Sequence, residues 1–130
     1  MATILVVDDN ELVRSATRIV LESAGYNVEE IGDSGAVVGF VKDLRPELVL
    51  TDLVMPDPGG VDVIRDLRQA GYGGAIIAMS GGGGASGPTD LLDKAREMGA
   101  DDCVSKPFHR SELCAKVAAV LERHAAQRTA

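Results

Sequence analysis

Charged and polar side chains follow four short apolar runs of this chain, and their types favour metal and phosphoryl chemistry. Asp8 and Asp9 come after the first run, and Asp52, Ser80 and Lys106 come after three later ones. Two carboxylates about 4 Å apart repel by roughly 4 kcal/mol at an effective dielectric constant near 20, so three together need compensating positive charge. A hard divalent cation such as Mg²⁺, which prefers oxygen ligands, supplies that charge.

The remaining groups fit the transfer of a phosphoryl group. Lys106 offers a point charge for a phosphoryl oxygen, and Ser80 offers a hydrogen bond. One carboxylate is then available as a nucleophile, which is a known covalent strategy for aspartate. Asp52 is the best candidate because it stands alone after a central run, whereas Asp8 and Asp9 form a pair suited to a metal ion.

Apolar runs alternate with amphipathic stretches along the whole chain, which predicts repeated strand–helix units. Strands are expected to start near residues 3, 26, 48, 75 and 102. Strands that alternate with helices imply a parallel sheet with helices on both faces, in one of a few doubly wound orders. Because ligands bind such sheets at the carboxyl ends of the strands, the polar residues are expected to meet there.

Composition narrows the class of protein. The 130 residues predict one domain, and 45% hydrophobic with 25% charged residues is typical of a globular chain. The formal net charge of −7 argues against direct nucleic-acid or anionic-membrane binding, which needs basic patches. No membrane-spanning run or signal peptide is recognisable, and Cys103 and Cys114 fit no C-x-x-C pattern. We therefore expect a cytoplasmic protein.

Taken in order, the motifs resemble those of the receiver domain of two-component response regulators. The matching segments are ILVVDD at 4–9, PELVLTDLVMP at 46–56, IIAMS at 76–80, GAD at 99–101 and KPF at 106–108. The resemblance covers residues 3 to about 124, so a receiver domain is expected at 1–124 and a short C-terminal tail at 125–130. It implies a flavodoxin-like α/β fold of five strand–helix units, with a five-stranded parallel sheet in the order 2-1-3-4-5.

The resemblance also implies a role for each site residue. Asp52 would accept a phosphoryl group from a phosphohistidine on a sensor kinase or a histidine phosphotransfer protein. Mg²⁺ would be bound directly by Asp9, Asp52 and the backbone carbonyl of Val54, and by Asp8 mainly through water. Ser80 and Lys106 would contact the phosphoryl oxygens. The Lys106–Pro107 peptide is expected to be cis.

The resulting hypothesis is a phosphorylatable signalling switch or relay intermediate that acts only on itself and is not an enzyme for outside substrates. It would signal by conformational change to an unidentified downstream protein, as a monomer or as a phosphorylation-dependent dimer. The alternative is a degenerate receiver that binds partners without phosphorylation. A phosphatase with an aspartyl-phosphate intermediate is a third possibility, but such hydrolases usually carry an acid where this chain has Val54.

Two departures from the family pattern concern the switch. Receivers usually carry Tyr or Phe three positions before the lysine, and this chain has Cys103 there. The segment after Ser80 is longer than usual and holds four consecutive glycines, beginning with Gly81, without the spacing of a nucleotide-binding loop. Gly81 leaves the phosphoryl site uncovered by a side chain. We hypothesise that reordering of this loop, with movement of the fourth helix, carries the signal instead of a rotating ring.

Overall fold

The computed structural model describes residues 2–56, 58–81 and 88–129, which alternate strictly between strands and helices. The strands are β1 (Thr3–Val7), β2 (Asn27–Ile31), β3 (Leu48–Asp52), β4 (Ala75–Gly81) and β5 (Asp102–Lys106). The helices are α1 (Glu11–Ser23), α2 (Val37–Leu44), α3 (Gly60–Gln69), α4 (Pro88–Met98) and α5 (Arg110–Thr129). A 3₁₀ turn at Ser34–Ala36 precedes α2.

The five strands form one parallel sheet in the order β2-β1-β3-β4-β5, which confirms the predicted fold class. Strand order reverses between β1 and β3, and this is the position at which doubly wound folds bind ligands. The register pairs Val7 with Thr51, and it pairs Asp52 with Met79. The carboxyl ends of β1, β3 and β4 therefore lie at one edge of the sheet.

Two hydrophobic clusters cover the two faces of the sheet because successive strand side chains point to opposite sides. One contains Ile4, Val6, Leu48, Leu50, Ile77, Met79, Leu113 and Val117, with α1 and α5 packed over it. The other contains Leu5, Val7, Val41, Val49, Ile64, Leu67, Ile76, Ala95 and Cys103, with α2, α3 and α4 over it. β1, β3 and β4 are buried on both faces, which is why their sequences are almost continuously apolar.

Gly60 allows the start of α3 to lie directly against the end of β3. A Cβ atom at this position would lie 2.1 Å from the backbone oxygen of Asp52 and 2.5 Å from the Cα of Leu53. The Gly60 N–H donates to the Leu53 carbonyl at 3.1 Å. Backbone atoms cannot move away as the tip of a side chain can, so a side chain at position 60 would displace the strand end that carries Asp52.

The observed boundaries differ from the predicted ones mainly at strand and helix ends. β4 and β5 include Ser80 and Lys106, which were expected just beyond the apolar runs, and β2 begins at Asn27. α5 continues to Thr129, so residues 125–129 extend a helix where the sequence suggested a tail. Most of the glycine-rich loop, residues 82–87, lies outside the described residues, and its reordering stays a prediction. No helix among those described combines the length and hydropathy needed to cross a bilayer.

Candidate functional site

The carboxyl ends of β1, β3 and β5 bring one lysine between two buried aspartates. Lys106 Nζ lies 2.9 Å from Asp8 Oδ2 and 3.4 Å from Asp52 Oδ1. The side chain of Asp8 is 1% exposed and that of Asp52 is 9% exposed, whereas Lys106 keeps 20% of its side chain in contact with solvent. Two buried carboxylates therefore share one partly exposed cation, and the cluster carries excess negative charge.

Local backbone structure holds the Asp8 carboxylate in place. Its Oδ1 accepts a hydrogen bond from the Asn10 N–H at 2.9 Å, which is an Asx turn, while Oδ2 faces Lys106. Asn10 then caps α1, because its Oδ1 accepts from the Val13 N–H at 3.1 Å. The turn that ends β1 and begins α1 thereby orients Asp8 toward the edge of the sheet.

The environment of Asp52 disfavours its charged form. Burial raises the pKa of the Asp52 carboxyl above its ordinary value of 3.8, and the nearby Asp8 carboxylate raises it as well. Lys106 and a hydrogen bond with the backbone of Val54 act in the opposite direction on this pKa, but burial is the largest cause. The ionised Asp52 carboxylate is therefore unfavourable in this environment, and a bound cation or a covalent bond to one of its oxygens would relieve this by neutralising the charge.

Three carboxylates are close enough to share one cation. Asp8, Asp9 and Asp52 each place a carboxylate oxygen within 4.8 Å of the other two. Asp8 and Asp52 are buried while Asp9 is exposed, so the group opens to solvent on one side. An all-oxygen set of few carboxylates with room for water fits Mg²⁺, which usually keeps several of its water ligands.

Ser80 and the residues around Lys106 complete the edge as the sequence predicted. Ser80 is buried near the end of β4, where it pairs with Ser105, one position before Gly81 pairs with Lys106. The peptide between Lys106 and Pro107 is cis. All five side chains that the sequence singled out therefore lie at the same edge of the sheet.

Cys103 occupies the strand position where an aromatic ring was expected from the family pattern. It is 5% exposed and belongs to the hydrophobic cluster beneath α3 and α4. The thiol is therefore part of the core packing, and no ring stands at this position to rotate between a buried and an exposed state.

Sequence reasoning missed two residues that support the site. The Arg14 guanidinium donates to the backbone carbonyl of Asp8 at 2.8 Å and pairs with Glu30 at 3.0 Å. Gly60 makes room for the end of β3, as described above. Neither has a local sequence signal, since an arginine on a polar helix face and a glycine at a helix start are both common.

Comparisons with known proteins agree with this geometry. A sequence model described as the response regulator receiver domain matches residues 4–118. The DNA-binding response regulator MtrA of Mycolicibacterium smegmatis is 42% identical over 93% of this chain and 51% of its own length. The cell cycle transcriptional regulator CtrA of Caulobacter vibrioides is 35% identical over 92% of this chain and 50% of its own length. The chain thus spans about half the length of these curated relatives.

Solved structures show the same fold across nearly the entire chain. The crystal structure of FixJ-N is 29% identical, with a TM-score of 0.84 and coverage of 94% of both chains. A LuxR-family two-component response regulator from Aurantimonas is 31% identical, with a TM-score of 0.84 over 94% of this chain and 86% of that one. Sequence, fold and the cluster at the sheet edge agree, and the chain belongs to the receiver domain family of two-component response regulators.

Proposed function

We propose that Asp52 accepts a phosphoryl group from a phosphohistidine on a histidine kinase or a phosphotransfer protein. The main support for this proposal is the position of Lys106 Nζ, which lies within 3.4 Å of both Asp8 and Asp52 in a cluster that is partly exposed to solvent. An Asp52 oxygen attacks phosphorus in line, a P–O bond forms, the P–N bond to the imidazole breaks, and the ring leaves as neutral imidazole after taking a proton. The product is a mixed anhydride on Asp52.

Other residues of the cluster stabilise the charge that this reaction moves. Lys106 provides a fixed cation for a phosphoryl oxygen, and the Ser80 hydroxyl donates a hydrogen bond to another. Asp8, Asp9 and Asp52 would hold Mg²⁺, together with the carbonyl of Val54. When bound, the ion neutralises charge on the carboxylates and on the phosphoryl oxygens. We propose that the chain modifies only itself and turns over no outside substrate.

The surface beside Lys106 supports a helical protein as the phosphodonor. An apolar groove of about 480 Å³ lies between α1 and the end of β5, lined by Val13, Ala16, Thr17, Lys106, Pro107 and Phe108. Next to it on α1, Leu12 and Ile19 are 83% and 62% exposed and lie on one face of the helix, seven residues apart. Exposed apolar side chains beside Lys106 fit the apolar face of a partner helix.

The output proposed for this chain is a conformational change that a second protein reads. The relative MtrA is a DNA-binding response regulator, and this chain matches about half of it. The net charge of −7 and the family match over residues 4–118 support the expectation that this receiver contacts proteins and does not itself contact nucleic acid.

Labelling of the full chain by acetyl phosphate with Mg²⁺ tests the proposal. We expect intact-mass spectrometry to show one added phosphoryl group that is lost on hydroxylamine treatment, and we expect Asp52→Asn to abolish it. Asp62→Asn, which removes an exposed carboxylate on α3, is the matched control. Equal labelling of the Asp52→Asn variant at another aspartate would overturn the choice of nucleophile.

A phosphoryl mimic separates this function from that of a degenerate binding module. We expect beryllofluoride with Mg²⁺ to shift backbone amide NMR signals around Asp52, Ser80 and Lys106. An unchanged spectrum under saturating Mg²⁺ and beryllofluoride would favour the degenerate receiver, which binds partners without phosphorylation.

A further inference from the structure

Arg14 connects α1, β1 and β2 immediately behind the carboxylate cluster. Its Nη1 donates to the backbone carbonyl of Asp8 at 2.8 Å, and its Nε donates to Glu30 Oε1 at 3.0 Å. The Arg14 side chain is 18% exposed and that of Glu30 is 19% exposed, so the guanidinium is largely enclosed. Arg18 donates to the second oxygen of Glu30 at 3.0 Å and so holds that carboxylate from the other side.

The bond to the Asp8 carbonyl acts on both carboxylates that follow β1, Asp8 and Asp9. That carbonyl belongs to the peptide group between Asp8 and Asp9, and a peptide group is planar. A guanidinium that fixes the oxygen therefore fixes the plane from which both side chains project. On the far side, the Asn10 N–H and Lys106 hold the Asp8 carboxylate itself.

Gly32 provides the space in which the guanidinium lies. A Cβ atom at position 32 would stand 2.6 Å from Arg14 Nη1 and 3.6 Å from the Asp8 carbonyl oxygen. Gly32 is not among the residues with positive φ, so an alanine there meets no left-handed backbone strain. The close atom is the end of a flexible side chain, so an alanine here would push Arg14 aside without displacing the backbone.

We propose that Arg14 is a positioning residue that sets the Mg²⁺ affinity of the receiver by orienting the peptide between Asp8 and Asp9. This inference rests on the proposed function of the cluster. Residues that orient metal ligands typically change metal affinity by about 10- to 100-fold when they are replaced. Glu30 offsets the charge of Arg14, so the arginine orients the ligands without adding a large net repulsion toward the ion.

Gly32→Ala tests the bond without altering charge. We expect the Mg²⁺ dissociation constant, measured by amide NMR titration with no phosphodonor present, to rise by about tenfold. Urea denaturation should show a stable fold, and labelling by acetyl phosphate should approach the wild-type rate at saturating Mg²⁺. Gly39→Ala is the control, because a Cβ atom at that position meets nothing within 4 Å.

A second pair of variants reaches the same bond by another route. Arg14→Gln with Glu30→Gln removes one positive and one negative charge, so the net charge is preserved and the orienting bond is lost. We expect the same loss of Mg²⁺ affinity. We expect no rescue by Arg14→Lys, because one ammonium group lacks the fork that bonds both the carbonyl and the carboxylate.

The outcomes distinguish this inference from the proposed function. A wild-type chain that binds Mg²⁺ and is labelled on Asp52, with unchanged affinity in both Gly32→Ala and the charge-conserving pair, overturns only the role of Arg14. A wild-type chain that fails to bind Mg²⁺ overturns the proposed function and this inference together.

Discussion

The ammonium group of Lys106 lies 2.9 Å from the carboxylate of Asp8, although 98 positions separate the two residues in the chain. They meet because β1 and β5 run parallel in one sheet and both end at the same edge. Asp8 is completely buried, so this contact is the main compensation for its charge besides the Asn10 N–H. The same ammonium lies 3.4 Å from Asp52 and therefore links that carboxylate to Asp8.

Replacing Lys106 by methionine should move phosphorylation and metal binding in opposite directions. We expect the rate of labelling by acetyl phosphate to fall by about 100-fold or more, because a fixed cation for the phosphoryl oxygens is lost. We expect Mg²⁺ to bind severalfold more tightly, because a competing cation leaves two carboxylates. Stopped-assay labelling and NMR titration measure the two effects.

Lys94→Met, at an exposed position of α4, serves as the control. Weaker Mg²⁺ binding would contradict this account.

Asp52→Asn should stabilise the metal-free fold at neutral pH. Burial and then Asp8 raise the pKa of Asp52 in the folded chain, so the folded state binds the proton more tightly than the unfolded state does. Ionised Asp52 therefore lowers stability, and we expect the variant to gain on the order of 1 kcal/mol at pH 7. The gain should shrink as pH falls through the folded pKa and vanish below the ordinary value of 3.8.

Urea denaturation with a chelator present, at pH values across this range, measures the difference between Asp52→Asn and wild type. Asp43→Asn, on the exposed face of α2, should show no comparable gain. A gain that grows toward acid pH would mean that the pKa of Asp52 is lowered by folding, contrary to the burial seen here.

Val54→Asn should shorten the lifetime of the phosphorylated state. Val54 is 62% exposed beside Asp52, so its replacement costs little packing, and any change reflects chemistry at the site. An apolar side chain cannot orient water by hydrogen bonding, whereas an amide can. We therefore expect the phosphoryl group to be lost faster than from the wild type. Intact-mass spectrometry at intervals after removal of the phosphodonor measures this loss. Ile19→Asn, with the same exposure on α1, should leave the lifetime unaltered. Identical lifetimes in wild type and Val54→Asn would count against this role.

The exposed apolar residues of α1 should matter only for a protein phosphodonor. The test uses a histidine kinase that transfers its phosphoryl group to the wild-type chain. We expect the double variant Leu12→Ala and Ile19→Ala to slow this transfer by about tenfold or more. Labelling by acetyl phosphate should stay at the wild-type rate, because neither side chain touches the carboxylate cluster. Equal slowing with both donors would point to a disturbed site instead of a docking surface.

Arg68 lies at the amino ends of the strands, opposite the carboxylate cluster, and should contribute strongly to stability. Its guanidinium donates to the carbonyls of Tyr72, Gly74 and Gly99 at 2.8 Å each, and to Asp101 at 3.1 Å. We expect Arg68→Ala to cost roughly 2–4 kcal/mol of unfolding free energy, because several carbonyls lose their partner.

Arg65→Ala on the same helix is the control for Arg68→Ala in urea denaturation. Its partners are Asp62 and Asp66, and all three side chains are more than 40% exposed, so we expect a cost below about 0.5 kcal/mol. Equal costs for the two variants would show that Arg68 acts through helix propensity alone.

Much of the site could be predicted because its residues directly follow the apolar runs that form the strands. Continuous apolar runs indicate buried parallel strands, and the polar residue that closes each run must lie at the carboxyl edge of the sheet. The residues that close the runs in this way are Asp52, Ser80 and Lys106. The C-terminal tail expected at 125–130 was not predicted as helix, because residues 125–129 carry no apolar stripe that marks the core, and α5 runs through them to Thr129.

The sequence by itself determined the order of elements, the residue types at the carboxyl ends of the strands and the excess of negative charge. Only the tertiary structure decided that Asp8 is buried against Lys106 while the adjacent Asp9 is exposed. It also decided that Arg14 holds the peptide between them and that Gly60 allows α3 to lie against β3. The physical reason is that hydrophobic periodicity reports only which residues face the core. These contacts depend instead on how helices pack against strand ends and, for Asp8 and Lys106, on a sheet that joins residues 98 positions apart.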